Sequence, residues 1–365
     1  MDWILFGAVI PLLGFGILTM NSFTGEGSFF EKQIIWAGIS LGVFFLLSFV
    51  DFSFLRRTNI VMFAYIFVSV ILIILFGMAH VIKGAQSWIS FGLFSFQPSE
   101  LAKLVLILVL AKYFSRRHVE IANIRHIFVS GFYAFFVFIL VMLQPDFGSS
   151  IIIFLIWLGM VFVSGISKRH LLLVFLVGLV AFGGLWFFGF KDYQKARIKN
   201  FMNPLADIHK TGYNAYQSTI AVGSGQILGK GIGYGTQSKL KFLPEYQTDF
   251  IFAAFAEEWG LLGVITMFIL FSIVIWRILI NAYEGATNFE ILFGLGLAVM
   301  FIAHFTINIG MNIGLLPVTG VTVPFLSYGG THLLIEFTGL GILMGIRRHS
   351  RSIHKELIQK ELVGV

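Results

Sequence analysis

The chain contains no cysteine. Disulfides, thiolate nucleophiles and cysteine-ligated metals are therefore excluded. Charge is also scarce: Asp, Glu, Lys and Arg make up 12% of the 365 residues, about half of what a soluble domain carries. No basic tract interleaved with aromatics appears, so nucleic acid is not an expected partner, and the net charge of +7 suits an anionic bilayer surface better. There is no Gly-Lys-Ser/Thr phosphate loop, no His-Glu-x-x-His metal motif and no convincing internal repeat. The first apolar run starts at Trp3 without a basic n-region or a small-residue cleavage site, so it is expected to be a retained helix.

What the chain has is apolar length. Hydrophobic residues make up 58% of it, and runs of about 20 recur from end to end, the length of a helix crossing hydrocarbon. The expected fold is an all-α integral membrane protein, a single polytopic domain over residues 1–365 with ten transmembrane helices. These fall at roughly 3–22, 33–50, 59–79, 98–114, 127–143, 149–165, 171–190, 250–280, 291–310 and 323–346. Residues 80–97 read as a short amphipathic re-entrant loop. The eighth run is long enough to tilt or to extend beyond the bilayer.

Lys and Arg in the short loops orient the bundle. With the N-terminus inside, the inner loops hold Arg56, Arg57, Arg116, Arg117, Lys168 and Arg169, and the inner tail adds Arg347 and Arg348, whereas the short outer loops hold only Lys32 and Lys83. Both termini are then cytoplasmic, and the long loop at 191–248 lies outside. Its eight basic residues do not oppose this, since long loops translocate with little regard to charge. The loop is rich in glycine around Gly223, Gly225, Gly229, Gly231, Gly233 and Gly235, yet Tyr213, Gln217, Gln237, Lys239 and Lys241 are not linker composition. Glycines let backbone N–H groups approach an anion closely, and the lysines add charge.

That loop meets the eighth span at Asp249. A carboxylate there reaches water on one side and the membrane on the other, and suits a substrate with a polar head and a lipid tail. The alternative is that Asp249 only caps the helix. Glu257 and Glu258 stand further inside the apolar run, where ionisable groups are costly and read as functional. Glu257 shares the Asp249 face and Glu258 opposes it. In the fourth span, Glu100 and Lys103 are spaced to pair, either as a structural ion pair or as part of a head-group site. Asp146, after Gln144 and Pro145, reads as a turn or N-cap residue. His304, Asn308 and Asn312 read as interhelical hydrogen-bond partners, and the small residues around Ser327, within the tenth span, as close packing.

Taken in order, several stretches resemble the shape, elongation, division and sporulation family, whose members include RodA, FtsW and SpoVE. They are Lys83 to Ile89 with Trp88, Phe96 to Glu100, Gln144-Pro145-Asp146, Gln217-Ser218 through Gly225, Leu243-Pro244-Glu245, Thr248-Asp249-Phe250-Ile251-Phe252 and Pro324 to Gly330. The likeness runs from about Ile34 to Arg348. Asp192-Tyr193-Gln194, Gly235-Thr236-Gln237-Ser238 and Leu316-Pro317-Val318-Thr319-Gly320 resemble the RodA branch. Three departures stand out: Ser87 where an Arg is usual, Gln247 where a His is usual, and Thr331-His332 in place of two small residues.

The resemblance implies a peptidoglycan glycosyltransferase of the bacterial cytoplasmic membrane, serving cell elongation and shape. Its substrate would be lipid II, an undecaprenyl-diphosphate disaccharide-peptide, polymerised at the outer face. Its partners would be a class B penicillin-binding protein and the membrane proteins of the elongation complex. The partner's single helix is expected on spans eight and nine, near Phe271 and Ile302. Inversion at the sugar requires one displacement and one general base, for which Asp249 is the candidate. Lys239, Lys241, the glycine-rich backbone and an unpaired Lys103 are candidates for the leaving diphosphate. Trp88, Gln144, Asp146, Gln217, Ser218, Glu245, Thr248, Glu257 and Ser327 fall within the substrate region by the same likeness or by position. A divalent cation such as Mg or Mn is conceivable, but no ligand set is legible. The rivals are a lipid II flippase, with Glu100, Lys103, Glu257 and Glu258 lining its path, and a non-catalytic scaffold of a cell-wall synthase.

Overall fold

The computed structural model describes residues 1–22, 28–78, 88–91, 94–116, 124–165, 167–184, 186–187, 190–203 and 212–363. Apart from one small hairpin, its regular elements are helices. They are α1 (Trp3–Asn21), α2 (Ser28–Ser48), α3 (Thr58–Met78), α4 (Pro98–Ser115), α5 (Ile124–Leu143), α6 (Phe147–Val163), α7 (Lys168–Gly184), α8 (Asp192–Met202), α9 (Tyr213–Ser224), α10 (Thr236–Lys239), α11 (Ile251–Tyr283), α12 (Asn288–Asn312) and α13 (Gly330–Val363). Six of them, α1, α2, α3, α5, α11 and α12, are long and apolar enough to cross a membrane, which makes this a multi-pass membrane protein. Helix α4 carries Glu100, Lys103 and Lys112 within its 18 residues, and α6 spans only 17.

Several helix starts follow from their first residues. Asp2 caps α1 by accepting from the N–H groups of Ile4 and Leu5 at 3.1 and 3.2 Å. Pro98 opens α4, where its missing N–H costs nothing. The Gln194 side chain reaches back to the Lys191 N–H at 3.0 Å and starts α8. Helix α12 lies at the centre, against α4, α6, α11 and α13, while α13 runs along α2 and α1 along α11. Near the chain's N-terminus, Asp2 also draws in Arg277 at 2.6 Å, Asn281 at 2.9 Å and Arg347 at 3.3 Å, tying α1 to α11 and α13.

Four expectations change. The described part of 80–97 is an antiparallel hairpin, β1 (Ile89–Phe91) with β2 (Phe94–Phe96), instead of a re-entrant amphipathic segment; Lys83 to Ser87 lie outside the described residues. The stretch from 191 to 248 is built from α8, α9 and α10. The eighth run is two helical pieces, because Gly260 sits at φ 64 and ψ −166 and breaks the helix. The last helix starts at Gly330, so Ser327 lies in the loop before it, not inside a span.

Candidate functional site

Asp249 lies two residues before α11. The N-cap position belongs to Phe250, whose side chain makes no capping hydrogen bond, so Asp249 lies one residue outside the N-cap. The backbone around Asp249 is fixed on all sides. Its carbonyl accepts from Asn308 Nδ2 at 2.8 Å and Asn312 Nδ2 at 3.1 Å. The Thr248 carbonyl accepts from Ser327 Oγ at 2.8 Å, and the Gln247 carbonyl from the Tyr328 N–H at 2.8 Å. Ser327 is buried and also accepts from the Val323 N–H at 2.8 Å; it is a strap between two loops as well as a small packing residue. Ser218 on α9 donates to the Asn312 carbonyl at 2.9 Å. Asn312 thus meets another helix through Ser218 of α9, as expected, but both Asn308 and Asn312 direct their amides to the loop carbonyl of Asp249.

The loop from 313 to 329 forms the other wall. Gly320 has φ 79, and a Cβ built on it would stand 3.3 Å from Asp249 Oδ2. The preceding carbonyl, of Thr319, accepts from Arg197 Nη1 of α8 at 3.3 Å. A Cβ on Gly148, in the first turn of α6, would lie 2.8 Å from that same carbonyl, so the loop rests directly on α6. Arg197 and Asp249 therefore come to the same dipeptide, Thr319-Gly320.

Asp146 caps α6, accepting from the Ser149 N–H at 3.0 Å, as its turn context suggested. Its other oxygen takes Gln97 Nε2 at 2.8 Å and Ser99 Oγ at 3.0 Å, which locks the starts of α4 and α6 together. Gln144 is buried and donates to the Leu72 carbonyl of α3 at 2.7 Å. Trp88 stands half-buried beside the hairpin. Glu245 is exposed and accepts from Thr248 Oγ1 at 3.1 Å. Gln217 is half-buried on α9, and Lys239 and Lys241 are exposed at and just after α10.

Glu100 and Lys103 form a closed, buried pair at 2.7 Å. Lys103 Nζ also lies 3.1 Å from His304 Nε2, and Glu100 lies 2.9 Å from His332 Nδ1. Glu100, His304 and His332 could geometrically hold a metal, but the donor set does not fit a divalent cation. The lysine ammonium already stands between Glu100 and His304, and a second cation there would meet it at contact distance.

The glycine-rich stretch has an anion of its own. Glu257 Oε1 accepts from Lys230 Nζ at 2.7 Å, the Gln237 N–H at 3.1 Å and Thr236 Oγ1 at 3.2 Å. Glu258 Oε1 accepts from the Gly233 N–H at 2.6 Å. The break at Gly260 leaves backbone groups without helical partners. Residues 226–231 supply them: Leu261 N donates to the Gln226 carbonyl at 2.9 Å, and Lys230 N and Gly231 N donate to the Glu257 and Glu258 carbonyls at 3.0 Å each. Gly229 is required at this crossing, since a Cβ there would fall 2.1 Å from the Glu258 carbonyl oxygen. Lys230 Nζ and the Gln237 and Gly233 N–H groups thus serve the protein's own carboxylates, and the Lys230 and Gly231 N–H groups its backbone carbonyls.

Arg197, His332 and Glu336 were not singled out as site residues from the sequence. Arg197 was one of eight basic residues in a long loop, and only the register of α8 turns it toward Thr319. His332 was visible as a departure from the family pattern, without a partner to give it meaning.

The family model of FtsW, RodA and SpoVE, described as "Cell cycle protein", matches residues 1–352. Stage V sporulation protein E of Bacillus subtilis is 36% identical over 89% of this chain and 89% of its own length. The peptidoglycan glycosyltransferase MrdB of Escherichia coli is 40% identical over 80% of this chain and 79% of its own. Among solved structures, the rod shape determining protein RodA of Thermus thermophilus aligns with a TM-score of 0.72 at 28% identity, covering 96% of this chain and 97% of that one. A chain from a structure described as "Structural coordination of polymerization and crosslinking by a peptidoglycan synthase complex" aligns with a TM-score of 0.82 at 28% identity, covering 96% and 98%.

Proposed function

The chain belongs to the FtsW, RodA and SpoVE family and is a peptidoglycan glycosyltransferase, and we propose that it polymerises lipid II with Asp249 as the general base. The observation that carries this reading is the placement of Asp249: a half-buried carboxylate outside the capping position, on a backbone held by Asn308, Asn312 and Ser327, facing Gly320. In the reaction, Asp249 takes the proton of the attacking 4-hydroxyl as the new glycosidic bond forms and the diphosphate leaves from the opposite face of the sugar. Base catalysis of this kind contributes about 10²–10⁴-fold, so positioning of the two lipid-tethered substrates must supply much of the remainder.

Arg197 is the residue best placed to meet the leaving diphosphate. It donates to the carbonyl of Thr319, the residue before the Gly320 that faces Asp249, and a guanidinium offers planar, bidentate donation to phosphate oxygens. Lys103 is committed to Glu100 and Lys230 to Glu257. These pairings also weigh against a flippase, whose path would need Glu100, Lys103, Glu257 and Glu258 open to a passing head group.

From the basic residues of the short loops we read both termini as cytoplasmic and residues 191–248 as outside, in a bundle of ten spans in the cytoplasmic membrane. The partner is a class B penicillin-binding protein, a reading supported by the likeness to a chain of a synthase complex. We place its membrane helix along the apolar face of α11 lined by Val264, Ile265, Phe268, Ile269, Ile273 and Trp276. Ile302 is exposed beside α11's neighbour, but Phe271 is buried and stacks on Phe305 at 3.8 Å, so it does not belong to that face. The test is polymerisation of lipid II by the purified protein, with and without the partner. Glycan strands with release of undecaprenyl diphosphate are expected, and their absence under both conditions overturns the reading.

A further inference from the structure

Five ionisable side chains are buried together under the loop from 313 to 329, and the reaction above uses none of them: Glu100 and Lys103 on α4, His304 on α12, and His332 and Glu336 on α13. Their contacts pair opposite charges. Each ring nitrogen of His332 meets a carboxylate oxygen, Nδ1 that of Glu100 and Nε2 that of Glu336, both at 2.9 Å. Nδ1 hydrogen-bonds to Glu100, whereas Nε2 and Glu336 Oε1 lie at ion-pair distance without a hydrogen bond between them, so an imidazolium at His332 is within ion-pair reach of both carboxylates. His304 Nε2 faces the Lys103 ammonium, which only donates, at 3.1 Å. That nitrogen must accept, so Nδ1 carries the proton and points it at the Thr322 carbonyl, 3.3 Å away. Two carboxylates, one ammonium and one imidazolium sum to zero, the condition under which such groups are tolerated at membrane depth.

The far ends of this neutral chain both terminate on the loop that faces Asp249. His304 reaches Thr322, and Glu336 Oε2 accepts the Phe325 N–H at 3.0 Å. Phe325 needs such a hold, because it is a buried, non-glycine residue at φ 62. Thr322 and Phe325 follow closely on Gly320. We infer that His332 and Glu336 are positioning residues, which couple the Glu100–Lys103 pair to the loop and set Gly320 against Asp249. The inference rests on Asp249 and Gly320 being the reaction site.

The test uses His332→Gln in the full-length protein. That change leaves two carboxylates with one ammonium, while the double change His332→Gln with Glu336→Gln restores neutrality and keeps an amide oxygen for the Phe325 N–H. Amide hydrogen exchange of a peptide covering 318–326 should rise in His332→Gln and return toward wild type in the double variant. In parallel, kcat for lipid II should fall at least about tenfold with KM within about twofold, and recover in the double variant. If His332→Gln does not accumulate, Glu336→Gln alone serves with the same readouts, because it keeps the acceptor but takes a charge from His332. Unchanged exchange at 318–326 overturns the inference. A loosened loop with full turnover overturns the positioning role and leaves the base assignment standing as long as Asp249→Asn is inactive. If Asp249→Asn is active, it is the base reading that has failed, and with it the premise of this inference.

Discussion

Asp249 Oδ2 and Gly320 face each other so closely that a Cβ on Gly320 would stand 3.3 Å from that oxygen and one of the two would have to give by a few tenths of an ångström. Gly320 also holds φ 79, a region that costs an L-residue roughly 1–2 kcal/mol. Gly320→Ala should therefore both strain the loop and crowd the carboxylate. We expect lipid II polymerisation to drop at least about tenfold while the protein still inserts and melts cooperatively. Full activity in Gly320→Ala would show that this face of Asp249 is not where the reaction occurs.

Arg197 separates diphosphate binding from base catalysis. Arg197→Ala should raise the inhibition constant of undecaprenyl diphosphate by about tenfold, with Arg197→Lys between the two, because a lysine keeps the charge but not the planar fork. Asp249→Asn should leave the same constant near wild type. An inhibition constant unmoved by Arg197→Ala would remove Arg197 from the diphosphate site and return attention to Lys239 and Lys241.

The ion pair of Lys230 with Glu257 holds the glycine-rich stretch across the break in α11. Glu257 is fully buried and Lys230 about a quarter exposed, so Glu257→Gln keeps an acceptor oxygen but leaves a largely covered ammonium without its counter-charge. Glu257→Gln and Lys230→Met should each lower the melting temperature in detergent, by an amount equivalent to about 1–3 kcal/mol. The double variant should cost less than the sum of the two. Additive losses would mean that the two side chains act independently.

The outline of the fold was legible because apolar length is a local property: runs at 3–22, 59–79, 127–143 and 291–310 sit within a few residues of α1, α3, α5 and α12. The break in α11 was not, since its sign is a lone Gly260 in a long apolar run and its cause is the partner segment 226–231, over 30 residues away. Asp249 stood out by its position at a loop–helix boundary, and the pairing of Glu100 with Lys103 by its spacing. The glycine-rich backbone was read as a donor set for the leaving diphosphate, whereas Gly233 and Gly231 donate to the side chain and carbonyl of Glu258, a match that depends on tertiary approach. His332 and Glu336 gain meaning only once α4 and α13 lie side by side, which no local pattern records.

The central claim is that Asp249 removes the proton from the acceptor hydroxyl, and one substitution addresses it. Asp249→Asn keeps the size and hydrogen-bonding tip of the side chain but cannot take up a proton at neutral pH. The measurement is the rate of glycan strand formation from lipid II by purified Asp249→Asn protein with its partner, against wild type at equal, correctly folded concentration. The account predicts a fall of at least about 10²-fold, with melting temperature and partner binding near wild type and with partial activity in Asp249→Glu. Wild-type polymerisation by folded Asp249→Asn protein would contradict it.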